Sequence, residues 1–302
     1  MSDRKNPQIL SGFGLRIFAM VFMVIDHIGV LMLNYQADIG EGANTAITVL
    51  RAIGRLAFPL FVFLMAEGFH YTRNGWRYLG RIGIVYALII SAMTIYIFGI
   101  AKDPNLAHGN FPGPNPFTDL ILIGGTLFAL NSKGWKKLWA LLPAGIVVTA
   151  HVVNVLEAAT SYTYMWFPNY LRPDYGLFGL CLALGFYLAR LFGTMVSKKS
   201  AAALQINEED YLASPSHQRN MNVLSVFFLI TATLVFWGIS YTTYDPHNMP
   251  FESYCILAIP FLYLYSGKRG YNAKWFHVFS YAFFPVHLII LFLIFFVSFG
   301  HI

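Results

Sequence analysis

Apolar runs of about twenty residues recur along the chain, broken by short stretches rich in Lys, Arg, Pro or Gly. A hydrocarbon core takes about 20 apolar residues per helix, so the pattern predicts an all-α polytopic membrane helix bundle. The runs fall at 13–34, 46–69, 78–100, 117–131, 135–154, 173–194, 222–241, 252–266 and 275–299. That is about nine transmembrane spans, with ten as the alternative. The fourth and eighth are short, which fits helices that are tilted, re-entrant or buried in the bundle. No small-residue cleavage site ends the first run, so it is expected to be retained rather than removed as a leader.

Orientation follows from where Lys and Arg fall between the runs. With the N-terminus in the cytoplasm, fifteen of the 20 Lys and Arg lie in inside segments. Only Lys102 and Arg172 lie outside, while Arg16, Arg51 and Arg55 lie within spans. The asymmetry fits an odd number of spans and an outside C-terminus. The outer loops carry Pro and Gly, most clearly in PNLAHGNFPGPNP at 104–116, which reads as an irregular lid. The polar stretch 195–221, with Glu208, Glu209 and Asp210, reads as a mobile cytoplasmic loop. Nothing repeats, and residues 1–302 read as a single domain.

Composition narrows the class. Charged residues make up 11% of the chain, against roughly 25% in soluble domains. Aromatics at 17%, including 28 Phe and 18 Tyr, fit lipid-facing helices and interfacial belts. The net charge of +6 does not indicate a nucleic-acid partner, because the basic residues lie where topology demands them. Cys181 and Cys255 sit in apolar runs without metal-ligand or disulfide spacing, and read as buried thiols.

Against that background the charged residues inside the spans stand out, because a charge at membrane depth costs about 2.5–3.5 kcal/mol on insertion scales and marks a functional site by default. The first span carries Arg16, Asp26 and His27. Arg16 and His27 are about three turns apart on one face, roughly 16 Å along the axis. Asp26 points about 100° away, toward a neighbouring helix. Asp26 and Arg55 match in depth, so an ion pair between the first two spans is geometrically easy; it either orients two helices or serves a site. Arg51, one turn further out, either joins them or snorkels outward. Glu67 lies near the inner end of the second span, at the level of Arg16. His287 follows Pro285 in the last span and matches His27 in depth to about 3 Å. It either shares a chamber with His27 or bonds a carbonyl released by the proline. Asp119 and Asp174 read as interfacial caps. There is no Gly-rich phosphate loop, no HExxH, no GxSxG and no Cys/His metal spacing, so no metal is expected.

Several of these residues lie in motifs. FAMVFMVIDHIGV at 18–30 and LRAIGRLAFPLFVFLMAEGFHYTRN at 50–74, with its Arg-x-x-Gly-Arg-x-x-Phe-Pro and Glu-Gly-Phe elements, resemble the TraX family, the conjugative F-pilin acetylases. DYGLFGL at 174–180 and YAFFPVHLIIL at 281–291 resemble its later elements. The resemblance implies a single membrane acyltransferase domain within the wider integral-membrane acyltransferase superfamily. It implies transfer of an acetyl group from acetyl-CoA to an amine or hydroxyl, with the catalytic histidine at His27 and Asp26 beside it. The acceptor would be a pilin-like peptide N-terminus or a cell-surface glycan, and the location a bacterial inner membrane. Arg16, facing the cytoplasm where CoA is, would bind the donor's phosphates. Arg51, Arg55, Glu67, Asp174, Tyr281 and His287 would support substrate or structure. Two rivals remain: a proton-coupled transporter relaying through Asp26, His27, Glu67 and His287, and a non-catalytic membrane assembly factor.

Overall fold

The computed structural model describes residues 8–72, 74–95, 115–164, 166–243 and 251–299. The expected lid at 104–116, apart from its last two residues, lies outside the described residues. So do Arg4, Lys5, Arg73 and Lys102 of the orientation argument and the tail 300–302.

The described chain is helical: α1 Gly12–Asn34, α2 Asn44–Gly54, α3 Ala57–Tyr71, α4 Gly75–Ile95, α5 Pro116–Leu130, α6 Leu141–Thr160, α7 Gly176–Ala203, α8 Pro215–Thr243 and α9 Lys274–Phe299. Among the described residues the strand pairing is one isolated parallel bridge, Leu10 with Tyr265. Among the described residues, six stretches are long and apolar enough to cross a membrane: Gly12–Asn34, Glu41–Tyr71, Gly134–Thr160, Asn169–Ala203, Pro215–Ile239 and Lys274–Phe299. Pro116–Leu130 and Phe251–Tyr263 are shorter apolar helices; 15 residues reach only about 22 Å, less than the hydrocarbon thickness of about 30 Å.

Three expectations need correction. The second run is not one helix, because α2 stops at Gly54 and α3 begins at Ala57. Pro59 supplies the reason. It has no N–H for the Arg55 carbonyl four residues back, and the Cys255 thiol donates to that carbonyl at 3.3 Å. The polar stretch 195–221 is not a loop. α7 continues to Ala203, a short helix covers Glu208–Leu212, and α8 starts at Pro215. Asn207 caps the short helix by accepting from the Glu209 N–H at 2.8 Å, and proline suits a first helical position. Ser197 and Gln218 are buried here. Of the two cysteines read as buried, Cys255 is buried, but Cys181 is exposed on α7 and that expectation is also corrected.

The chain falls into two compact units, Met1–Leu64 with Gly185–Ile302, and Met65–Leu184. In the first, α1 and α2 form an antiparallel hairpin. Glycines let their backbones close up: a Cβ on Gly54 would lie 2.6 Å from Asp26 Oδ1 and 2.5 Å from its Cα, and one on Gly29 would lie 3.1 Å from the Arg51 and Leu50 side chains. α9 runs parallel to α1, with ring contacts climbing in step. Phe13 meets Phe276 at 4.7 Å, His27 meets His287 at 4.9 Å, and Tyr35 meets Phe299 at 5.0 Å between centroids. The start of α1 is tied to the segment before α9: Gly12 and Phe13 donate to the carbonyls of Lys268 and Arg269 at 2.8 and 2.9 Å. Buried Asn222 on α8 donates to the Tyr263 and Tyr265 carbonyls.

In the second unit, Leu122, Val147 and Leu180 form a core. Buried Asp119 accepts the N–H groups of Asp174, Tyr175 and Gly176 at 2.7, 3.1 and 3.0 Å. It caps the start of α7 from another helix, which gives the Asp-Tyr-Gly element a structural role. Arg172, read from sequence as an outer-loop cation, is buried in a two-bond fork to Glu157 at 2.5 and 2.8 Å.

The α1–α2 approach carries a prediction. Gly54→Ala drives a methyl group into the Asp26 backbone and is expected to cost about 1–3 kcal/mol, the usual range for overpacking. Thermal melting of the detergent-solubilised protein measures it. An unchanged midpoint would mean that the two helices can part at no cost.

Candidate active site

Asp26 and His27 are neighbours on α1, and the 100° step between helical residues sends them to different helices. Asp26 faces α2. Its Oδ2 lies 2.7 Å from Arg51 Nη1, and its Oδ1 lies 3.8 Å from Arg55 Nε. The tight partner is therefore Arg51, where depth alone favoured Arg55. The depth argument took 46–69 as one straight helix, but α2 ends at Gly54 and leaves Arg55 in the turn. Arg51 does not snorkel outward. Its guanidinium also lies 5.6 Å from the Phe251 ring centroid, a cation–π distance. Arg55 is only 6% exposed. Asp26 Oδ1 makes no hydrogen bond among the described residues, since 3.8 Å exceeds hydrogen-bond reach.

His27 faces α9. Its Nδ1 lies 2.8 Å from His287 Nε2, and His287 Nδ1 lies 2.8 Å from the Phe283 carbonyl oxygen. His287 is 6% exposed and held by rings. Phe283 stacks on it at 5.0 Å and 17° between planes, and Phe284 meets it edge-on at 5.5 Å. Phe284 also meets His27 edge-on at 5.6 Å. The sequence offered His287 a carbonyl released by Pro285. A proline deprives the carbonyl four residues back, which is that of Tyr281, whereas His287 uses Phe283. Chain spacing thus yields two linked polar groups on α1, an ion cluster on one side and an imidazole pair on the other.

The remaining sequence candidates spread out. Arg16 lies on the first turns of the same unbroken α1, its guanidinium 5.8 Å from the Phe276 ring centroid on α9. Tyr281 stands half-buried on α9. Glu67 and Asp174 belong to the second unit, Glu67 half-buried on α3 and Asp174 exposed and held to Asp119 by its backbone. Sequence reasoning missed Phe251 and the thiol of Cys255 beside the ion cluster. The lack of an N–H at Pro59 was the one available signal, since it calls for another donor nearby. Among the described residues no three His, Cys, Asp or Glu side chains come together as a metal site.

A family model described as TraX protein matches residues 11–295. The chain belongs to the TraX family. This TraX-family protein also resembles a probable fimbrial assembly protein, FimC of serogroup H1, from Dichelobacter nodosus. The two are 34% identical over 93 residues, 31% of this chain and 34% of that protein, so the match spans about a third of each. No solved structure matches.

Proposed function

We propose that this protein is an integral-membrane acetyltransferase that moves an acetyl group from acetyl-CoA to an amine or hydroxyl of a membrane-embedded or exported acceptor, either a pilin-like peptide N-terminus or a cell-surface glycan. The observation that carries the reading is the pair of imidazoles on two apolar helices, 2.8 Å apart. A neutral imidazole is suited to take a proton from an amine or hydroxyl as it attacks a thioester carbonyl. In this reading His27 is the base. The proton it accepts is later returned to the departing CoA thiolate. Asp26, tied to Arg51 and Arg55, fixes α1 so that His27 faces α9.

Donor binding falls to the other end of α1. Arg16 lies about 16 Å from His27 along the helix, of the order of an extended pantetheine arm. The first residues of α1 are hydrogen-bonded to the backbone of Lys268 and Arg269, so two more basic residues stand at the end of α1 where a nucleotide's phosphates would arrive. With the N-terminus placed in the cytoplasm and about nine crossings of a bacterial inner membrane, this is the cytoplasmic end. The parallel course of α1 and α9 agrees with such a topology. Arg16→Gln is expected to raise the KM for acetyl-CoA about tenfold or more, as loss of a charge-assisted contact does, and to matter less for a short thioester lacking the nucleotide. Equal losses with both donors would make Arg16 structural.

The purified protein in nanodiscs, given labelled acetyl-CoA with membrane and exported peptides, tests the function. Label is expected on a peptide N-terminus or glycan. Its absence from every fraction overturns the reading. The likeness to a probable fimbrial assembly protein favours a second reading, a non-catalytic assembly factor. In that case His27→Ala would leave assembly of surface fibres intact.

A further inference from the structure

We infer that His287 is a positioning residue that fixes the tautomer of His27, holding the hydrogen on Nδ1 and leaving the lone pair on Nε2. The consequence for turnover rests on the acetyltransferase reading; the tautomer itself does not.

The direction of the hydrogen bonds forces the assignment. A carbonyl oxygen only accepts, so His287 Nδ1, 2.8 Å from the Phe283 oxygen, carries a hydrogen. A neutral imidazole has a single N–H, so His287 Nε2 presents a lone pair. His27 Nδ1, 2.8 Å away, must then donate, and its own hydrogen is placed on Nδ1. Nε2 of His27 is left bare. The opposite direction requires a doubly protonated His287, a cation on an apolar helix, which membrane depth penalises. It would also place a hydrogen on His27 Nε2 and leave no base.

The ring packing keeps the chain from reversing. The Phe283 face at 5.0 Å and the Phe284 edge at 5.5 Å hold the His287 plane. The Phe284 edge at 5.6 Å holds His27 as well. When His27 Nε2 accepts the proton of the attacking amine or hydroxyl, its ring becomes cationic. The Nδ1–H bond to His287 then becomes charge-assisted and strengthens. No proton need leave His27 by that route. The one it gained is available at Nε2 for the thiolate that departs when the carbon–sulfur bond breaks. His287 acts through His27 and touches no substrate.

Two substitutions separate tautomer control from packing. Glutamine at 287 can donate its amide N–H to the Phe283 carbonyl and accept from His27 Nδ1 through its amide oxygen. Leucine fills space and does neither. The full chain, with ¹⁵N-labelled histidine, is placed in nanodiscs, and the His27 signals are assigned by their loss in His27→Gln. In the unsubstituted protein and in His287→Gln, Nδ1 is expected to be protonated and Nε2 bare. In His287→Leu the alternative tautomer appears. Turnover is expected to fall about tenfold to a hundredfold in His287→Leu, at or below the lower end of what a general base contributes, with the KM for acetyl-CoA unchanged. It should recover to within about threefold in His287→Gln. A hydrogen on His27 Nε2 in the unsubstituted protein overturns the inference. So does a His287→Leu protein with an unchanged tautomer. If that variant fails to fold, the unsubstituted protein and His287→Gln still decide. The spectra need no turnover, so an inactive protein with the expected tautomer overturns the acetyltransferase reading alone.

Discussion

Replacing His27 with alanine is expected to lower acetyl transfer by about two orders of magnitude or more, the usual contribution of a positioned base, without preventing membrane insertion. The reason is geometric. His27 lies about two thirds of the way along α1, and among the described residues its side-chain hydrogen bond runs to His287, away from the ion cluster that fixes α1 to α2. Removing the ring therefore deletes the base and leaves the Asp26–Arg51 pair in place. The comparison is made at equal amounts of folded protein, with the melting midpoint as the control. A His27→Ala protein that turns over at a near-normal rate would end the assignment, whatever the fate of the pilin or glycan acceptor.

The second large effect belongs to Asp26. Its carboxylate lies within 4 Å of both Arg51 and Arg55. Asp26→Ala takes that carboxylate away from both guanidiniums, and breaking a buried pair from one side costs about 3–5 kcal/mol. Removing Asp26 and Arg51 together should cost less than the two single losses combined. Distances of 2.7 and 3.8 Å further predict that Asp26 couples more strongly to Arg51 than to Arg55. Double-mutant cycles on thermal or denaturant unfolding read both couplings. Additivity within about 0.5 kcal/mol for Asp26 and Arg51 would refute the pair.

The first and last helices were legible almost to the residue, because unbroken apolar runs end where charged or capping residues begin. The 100° divergence of Asp26 and His27 was legible for the same reason: both lie on one regular helix. What failed were inferences that carried a straight helix through a proline. Hydropathy does not register a missing N–H, so the break before Pro59 went unseen, and with it the exchange of Arg51 for Arg55 as the close partner. The 195–221 stretch failed differently. Its helices bury Ser197 and Gln218 along with Ala201 and Met221, and such mixed burial leaves no clear hydrophobic period to read. The Asp119 cap and the Arg172–Glu157 fork join residues far apart in sequence, and nothing in their local surroundings announces the partner.

The two faces of α1 are completed at different moments of biosynthesis. Arg51 follows Asp26 by 25 residues, so both members of that pair are present once the first hairpin has been made. His287 follows His27 by 260 residues. Until then the imidazole of α1 waits beside lipid or transient neighbours with its hydrogen-bond partner unsynthesised. His27 and His287 meet only when the last helix docks alongside the first. A ribosome that stalls before α9 leaves a chain that already holds both Asp26 and Arg51 but in which His27 has no His287 to meet.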